Sequence, residues 1–393
     1  MTAQTPLNDL PAPSPDALAH SAQLTALIHA EIKRAGGWIS FARYMELALY
    51  TPGLGYYSGG SRKFGEDGDF ITAPEITPLF GAALATQIIE VMAQSAAQII
   101  EVGAGTGMLA ADILSTLEAD GHLPDSYAIL ELSGELRARQ QETLKARVPH
   151  LLPRVRWLDA LPQRFAGCVI ANEVLDVMPV HCLVWRDGVC HERGVTLDAD
   201  ALAWQERPLN EDLRAHVARL PAPPASTDGE YCSEICPSAQ AWIGEWARSL
   251  QQGAVLLIDY GYPAAEYYLP SRSHGTLQCY YRHRAHTDLL RWPGLNDITA
   301  FVDFTAVAEA AFAQGLEVMG YTTQASFLVN CGVLERLAQR GETDSADYLR
   351  ASRALQRLIG AHDMGEIFKV IALGRGLTTP LRGFARGDRT HAL

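Results

Sequence analysis

The sequence has few cysteines, and none is spaced for chemistry. Seven occur among 393 residues: Cys168, Cys182, Cys190, Cys232, Cys236, Cys279 and Cys331. The number is odd and no CxxC pair occurs; Cys232 and Cys236 are the nearest neighbours and no second pair accompanies them. That argues against a disulfide framework and against a zinc site, and leaves reduced thiols in a reducing compartment as the simplest expectation. Basic charge is scarce as well: 32 Lys and Arg against 45 Asp and Glu give a formal charge of −13. Phosphate neutralisation needs clustered Lys and Arg, so general nucleic-acid binding is not expected. An acidic chain suits a basic partner, such as an arginine-rich protein segment, although acidity also serves solubility. No apolar run reaches the length of a membrane span, so membrane insertion is not expected. The first Lys or Arg is Lys33, which gives neither the early charge of a secretory signal nor an Arg-rich transit peptide. The expected location is therefore cytoplasmic. Pro6, Pro11, Pro13 and Pro15 suggest a flexible leader.

What is present alternates. A helix is expected over 14–35, with Leu18, Leu24, Leu27, Ile28 and Ile32 near one face and Gly36-Gly37 as its stop. A second follows over 41–50. Residues 53–78 are rich in Gly, Pro and aromatics and read as a long ordered loop. From 79 the texture becomes helix (79–93), strand (98–102), helix (108–119), strand (126–131), helix (134–147), then strands at 155–158 and 168–171. Strands and helices at this spacing mean βαβ units on a parallel sheet, an α/β fold. Residues 181–224 break the pattern and read as a hairpin with turns at Asp187-Gly188 and Asp198. A helix over 234–250 and a buried strand at 254–259 resume it. A helix at 302–314, a strand at 316–321, a helix at 348–359 and a strand at 366–373 complete it. The expected division is 1–78 for leader, N-terminal helices and lid loop, 79–180 with 245–375 for the α/β core, and 181–244 for an inserted smaller subdomain.

The most informative stretch is Ile99-Ile100-Glu101-Val102-Gly103-Ala104-Gly105-Thr106-Gly107. Three alternate glycines follow a strand and open a helix, where backbone can approach a ligand closely at the carboxyl edge of the sheet. Gly105 to Ala110 also satisfies G-x-G-x-x-A, so a dinucleotide competes for this loop. Glu101 separates the two. A dinucleotide lays its pyrophosphate on the helix N-terminus, and a fixed carboxylate would oppose it by roughly 1 to 4 kcal/mol at about 4 Å. S-adenosylmethionine carries a sulfonium and an ammonium and no phosphate, so the same acid favours it. Glu131 ends the next strand, 24 residues after Gly107. A carboxylate there can accept both ribose hydroxyls in either cofactor. Asp159, after the third strand, is a weaker candidate for the adenine amino group.

The fourth strand ends in Ala171-Asn172-Glu173-Val174-Leu175-Asp176. A methyl acceptor such as an arginine nitrogen needs a carboxylate to hold its guanidinium. Glu173 is the candidate, with Asp176 on the same face if a helix begins there, and Asn172 available to the cofactor's amino-acid end. A plainer reading makes Asn172 a helix cap and the acids first-turn residues. Pro74 and Glu75, in the segment Asp69-Phe70-Ile71-Thr72-Ala73-Pro74-Glu75, precede the helix leading to the first strand and could fold over the cofactor. Glu234, Asp259, Tyr262, Tyr280 and Tyr281 are further cleft candidates, with His274 and His283 as candidate proton acceptors.

Several strings carry a resemblance. YMELALYTPGLGYYSG (44–59), GDFITAPEITPLFG (68–81), IIEVGAGTGMLAADIL (99–114), NEVLDVMPV (172–180), LLIDYGY (256–262), GTLQCYYRH (275–283), DITAFVDF (297–304) and GYTTQASFL (320–328) resemble the MidA-like methyltransferase family. That family includes an arginine methyltransferase that assists assembly of respiratory complex I. The resemblance implies a class I methyltransferase, Rossmann-like seven-stranded sheet with one reversed strand and an added subdomain. It implies S-adenosylmethionine held by Glu101, Gly103, Gly105, Gly107 and Glu131, and a protein substrate such as a respiratory complex subunit. An NAD-dependent oxidoreductase and a non-catalytic assembly factor remain as alternatives. The oligomeric state is open.

Overall fold

The structure, a computed structural model, describes residues 5–59, 72–221 and 229–393. The chain divides into two compact units, each built from three separate segments. The first comprises Met1–Phe70, Leu175–Ala239 and Tyr262–Asp303; the second comprises Ile71–Val174, Gln240–Gly261 and Phe304–Leu393. The second unit holds the expected α/β core, but its boundaries differ from those read in the sequence. Residues 262–303 and the N-terminal helices join 181–239 in the first unit rather than standing with the core or alone.

The second unit is organised on seven strands: β1 (Gln98–Val102), β2 (Ser126–Leu130), β3 (Val155–Leu158), β4 (Phe165–Asn172), β5 (Leu250–Tyr262), β6 (Glu317–Thr323) and β7 (Phe368–Arg375). Their spatial order is β6-β7-β5-β4-β1-β2-β3. β1 to β5 pair in parallel, and β7 runs antiparallel to both β5 and β6. Strand order reverses between β1 and β4, the switch point outside which open α/β sheets bind ligands. Helices α1 (Leu79–Ala93), α2 (Met108–Ala119) and α3 (Gly134–Arg147) belong to the same unit. The expected bounds of β1, β3 and these three helices coincide with the observed ones. The central strands β4 and β5 are near-continuous apolar runs, as burial on both faces requires: Val169, Ile170, Leu256 and Leu257 are all fully buried.

The first unit has its own core. Helix Pro15–Arg34 starts at Ser14, whose Oγ accepts from the Ala17 N–H at 3.2 Å, with Pro15 in the first position. Leu24, Ile28 and Ile32 are buried at successive four-residue steps and pack with Phe41, Tyr44 and Met45 of helix Phe41–Tyr50. Leu18 and Leu27, expected on the same face, are exposed instead; a face is narrower than five residues spread over four turns. The segment expected as a hairpin is a three-strand meander, His181–Arg186, Val189–Asp198 and Ala201–Pro208. Its second turn falls at Ala199-Asp200, after the Asp198 expected there. Glu230–Ile235 is a strand that pairs with the first of them, so the helix expected from 234 begins only at Pro237. Of the expected 53–78 loop, 60–71 lie outside the described residues. No helix among the described residues is long and apolar enough to cross a membrane. All seven cysteines are free.

β4 and β5 face each other in register at Gly167 and Gly253. A Cβ at Gly253 would stand 1.9 Å from the Gly167 carbonyl oxygen, and its φ is +128°. Gly253→Ala should therefore cost about 3 kcal/mol from overpacking and backbone strain. Urea unfolding monitored by circular dichroism measures the loss, and a change below about 1 kcal/mol would contradict the need for glycine at this position.

Candidate functional site: a glycine loop between buried carboxylates

The loop leaving β1 takes the path the sequence suggested. Gly103, Gly105 and Gly107 all have positive φ, and the Gly103 N–H donates to the Leu130 carbonyl at 3.1 Å, tying the loop to the end of β2. Gly107 caps α2 at φ +84°. A Cβ there would lie 3.1 Å from the Cα of Gln140 on α3, so glycine is required for conformation and for space.

Glu101 sits near the end of β1 and is 2% exposed. The phenol of Tyr127, on β2, donates to its Oε2 at 2.6 Å. Burial pushes its carboxyl up to about 7; the Tyr127 bond opposes the rise and the nearby charge of Glu131 adds to it. The acid is thus a buried, proton-sharing group rather than an exposed fixed charge. Glu131, just past β2, is buried too. Its Oε1 accepts from the Ser133 N–H at 2.9 Å and its Oε2 from the Gln140 side-chain amide at 3.1 Å. Burial raises its carboxyl and these bonds restrain the rise.

Asp159 is placed differently from the other candidates. Its side chain is 88% exposed and pairs with Arg137 at 2.7 Å. Arg137 spends its other donors on the Glu131 and Leu158 carbonyls, at 2.6 and 2.7 Å, strapping the ends of β2 and β3 together. Pro74 and Glu75 lie on a short helix, Ala73–Ile76, and the Glu75 carboxylate accepts from the Thr106 hydroxyl inside the glycine loop. Asp69, Phe70 and Ile71 of the same string lie outside the described residues.

At the end of β4 no helix begins, so the capping and same-face readings of Asn172, Glu173 and Asp176 are both corrected. Glu173 instead takes a left-handed backbone at φ +52°. Its N–H donates to the Ile258 carbonyl at 2.9 Å, and the next N–H, of Val174, donates to Asp259 Oδ2 at 3.2 Å. β5 therefore fixes the turn, and Asp259 is a backbone anchor rather than a cleft wall. The Asn172 amide donates to Glu173 Oε1 at 3.1 Å, while Asn172 Oδ1 is buried with no partner among the described residues. Asp176 falls in the first unit, buried, its carbonyl accepting from the Ala300 N–H at 2.8 Å.

The remaining cleft candidates, apart from Asp259, lie in the first unit. Glu234 is buried on its strand and accepts from the Thr276 N–H at 3.0 Å, the Thr276 hydroxyl at 2.9 Å and Tyr267 at 3.4 Å; it braces the Gly275-Thr276 turn. Tyr262 does carry a guanidinium on its ring, that of Arg272 at 3.9 Å. Tyr281 is buried against Trp292, Tyr280 is half-buried, and His283 occupies a two-residue hairpin turn at φ +60°. His274 forms an isolated bridge with Cys232.

Three residues here escaped the sequence reading: Tyr127, Gln140 and Leu132. Leu132, between Glu131 and Ser133, is 82% exposed, a bare apolar side chain beside a buried acid. An apolar residue inside a ribose-acid motif was a usable signal; nothing local marked Gln140.

A glycine loop at the switch point, flanked by two buried carboxylates bonded to neutral donors, suits a cationic, ribose-bearing ligand and disfavours a pyrophosphate. Fold and site are those of an S-adenosylmethionine-dependent methyltransferase. The chain belongs to the S-adenosyl-L-methionine-dependent methyltransferase family whose pattern matches residues 83–322. A crystal structure of a superfamily member from Burkholderia thailandensis, bound to S-adenosyl-homocysteine, is 48% identical, covers 98% of this chain and 100% of its own, and superposes with a TM-score of 0.92. The protein arginine methyltransferase NDUFAF7 of Mus musculus is 31% identical over 90% of this chain and 86% of its own length. Its Danio rerio counterpart is 31% identical over 86% and 84%. The choice between two cofactors that the loop left open is thus resolved for S-adenosylmethionine.

Two expectations follow. A carboxyl lifted to about 7 by burial is neutral below that pH, where it adds nothing for a sulfonium, and charged above it. Its folded value exceeds its unfolded one, so in the free protein stability falls as pH rises from about 4.5 through about 7. Cofactor affinity runs the other way. It should weaken as pH drops below about 7, approaching tenfold per pH unit, with proton release visible by titration calorimetry in two buffers. A Glu101→Gln variant should lose that slope. Separately, Glu173→Gly should raise stability by about 1 kcal/mol by relieving the left-handed strain, readable as a higher Tm; a lower Tm would show that the strain is not there.

Proposed function

We propose that this chain transfers a methyl group from S-adenosylmethionine to an arginine nitrogen of a protein. Glu173 carries the reading: its carboxylate stands at the end of the strand next to the glycine loop, on a turn whose backbone is held by the Glu173 N–H bond to the Ile258 carbonyl and the Val174 N–H bond to the Asp259 carboxylate of β5. The names of the curated relatives support the arginine acceptor. Bound cofactor supplies an electrophilic methyl carbon on a sulfonium. Around it, Glu173 would bind the guanidinium by charge-assisted hydrogen bonds and aim one nitrogen at the methyl carbon, then take up the proton that nitrogen gives up as the N–C bond forms and the C–S bond breaks, and pass it to solvent. Asn172 Oδ1, buried and facing no partner among the described residues, is an acceptor suited to the cofactor's ammonium. Leu132 offers an apolar surface to the adenine, and Glu131 accepts from the ribose. Glu75, bonded to Thr106, closes the loop from the other side.

We place Asp159 at the rim, where it holds Arg137 and reaches adenine only weakly. Seven free cysteines support a reducing compartment, which we propose to be the cytoplasm. A respiratory complex subunit is the substrate we propose, on the family resemblance of the sequence. The formal charge of −13 favours a basic target segment.

Labelled-methyl transfer into a cell lysate, followed by mass spectrometry, tests this directly. Methylarginine is the expected product. Glu173→Gln should lower transfer by about 100-fold or more while leaving S-adenosylhomocysteine affinity within about twofold. Transfer at the wild-type rate by the variant would remove Glu173 from catalysis. Binding of S-adenosylmethionine by wild type without any transfer would favour a non-catalytic assembly factor.

A further inference from the structure

The buried face of α3 reads Leu136, Gln140, Leu144, at four-residue steps. An amide between two leucines, with no exposure at all, is costly unless each polar atom is bonded. Here each is. The Gln140 Nε2 donates to the Gly105 carbonyl at 3.1 Å and to Glu131 Oε2 at 3.1 Å, and its Oε1 accepts from Trp157 Nε1 at 2.9 Å. One side chain thus joins the glycine loop, the acid after β2 and the aromatic residue of β3. Packing alone would be met by leucine or methionine.

We propose that Gln140 is a positioning residue for the cofactor's ribose, fixing the carboxylate of Glu131 and the path of the glycine loop with a single amide. The inference rests on the cofactor reading and on Glu131 as the ribose acceptor. With Ser133 N–H on Oε1 and Gln140 on Oε2, both carboxylate oxygens are pinned and the plane of the group cannot swing. Each oxygen retains acceptor capacity, so two vicinal hydroxyls can be met without reorganisation. The same amide stops the Gly105 carbonyl from turning toward the ligand. Close approach of Gly107 to the Gln140 backbone locks the second side of the loop.

Gln140→Glu separates this role from packing. It keeps the shape and can still accept from Trp157, but it replaces the donor by an oxygen facing Gly105 O and Glu131. S-adenosylhomocysteine and its 2′-deoxy analogue are the probes, titrated calorimetrically into wild type, Gln140→Glu and Gln140→Met. Wild type should bind the deoxy analogue about 10- to 100-fold more weakly. In both variants the parent ligand should weaken by about tenfold or more and the penalty for losing the hydroxyl should shrink to about threefold or less. A merely structural role would weaken both ligands equally and leave the ratio unchanged, and that result overturns the proposal. Should neither variant fold, Trp157→Phe removes one bond and leaves Gln140 in place. Its ratio should fall between wild type and about threefold, and a wild-type ratio there also overturns the proposal. Failure of wild type to bind S-adenosylhomocysteine would instead sink the cofactor reading. Wild-type binding indifferent to the 2′-hydroxyl would overturn the ribose assignment and this proposal with it.

Discussion

Two carboxylates buried at the carboxyl edge of a parallel sheet set the terms for everything around them. A buried acid is tolerable only if hydrogen-bonded or paired with a cation. A lysine or arginine at the pocket would satisfy it and would also occupy the place of a cationic ligand. The chain satisfies both acids with neutral donors instead: a tyrosine phenol for Glu101, a backbone N–H and a glutamine amide for Glu131. Arg137 turns its donors to two carbonyls and to exposed Asp159. The charge stays available, at the cost of a carboxyl that shares a proton near neutrality.

Local pattern carried much of this. Local runs placed β1, β3 and the helices α1, α2 and α3 to the residue: buried apolar runs in β1, α1 and α2, and in α3 buried residues at four-residue steps in a polar helix. Glu101 and Glu131 were found because acids at strand ends beside glycines have few other reasons to exist. What stayed hidden depends on partners distant in sequence. Tyr127 and Gln140 look like ordinary core and helix residues until β1, β2 and α3 are brought together. Glu234 lies within a helical-looking pattern, yet pairing with His181–Arg186 makes it part of a strand; short amphipathic runs do not distinguish the two. The hairpin at Tyr281–Arg284 turns on Arg282 and His283 at φ +46° and +60°, with none of the Asn or Gly that announce such turns.

Glu173 shows a conflict of levels. Its string, with asparagine before two acids, reads as a helix start, and local chemistry would favour one. The observed backbone is left-handed, held by the Ile258 carbonyl and the Asp259 carboxylate of the next strand. A residue kept in an unfavourable conformation by its neighbours is one whose direction matters more than its comfort. Asp259 was read as a possible substrate contact; its two oxygens are engaged with the Val174 and Tyr260 N–H groups, and it builds the turn.

Each compact unit is stitched from three lengths of chain, and those lengths interleave. Neither can be excised by cutting at one place, and neither has its own start and finish. Ordering one unit brings together the ends of segments belonging to the other, so part of the second unit's loop-closure entropy is already spent when the first has formed. Such a molecule would melt as one cooperative body, and a lesion far from the glycine loop would be felt there as lost fold rather than lost chemistry.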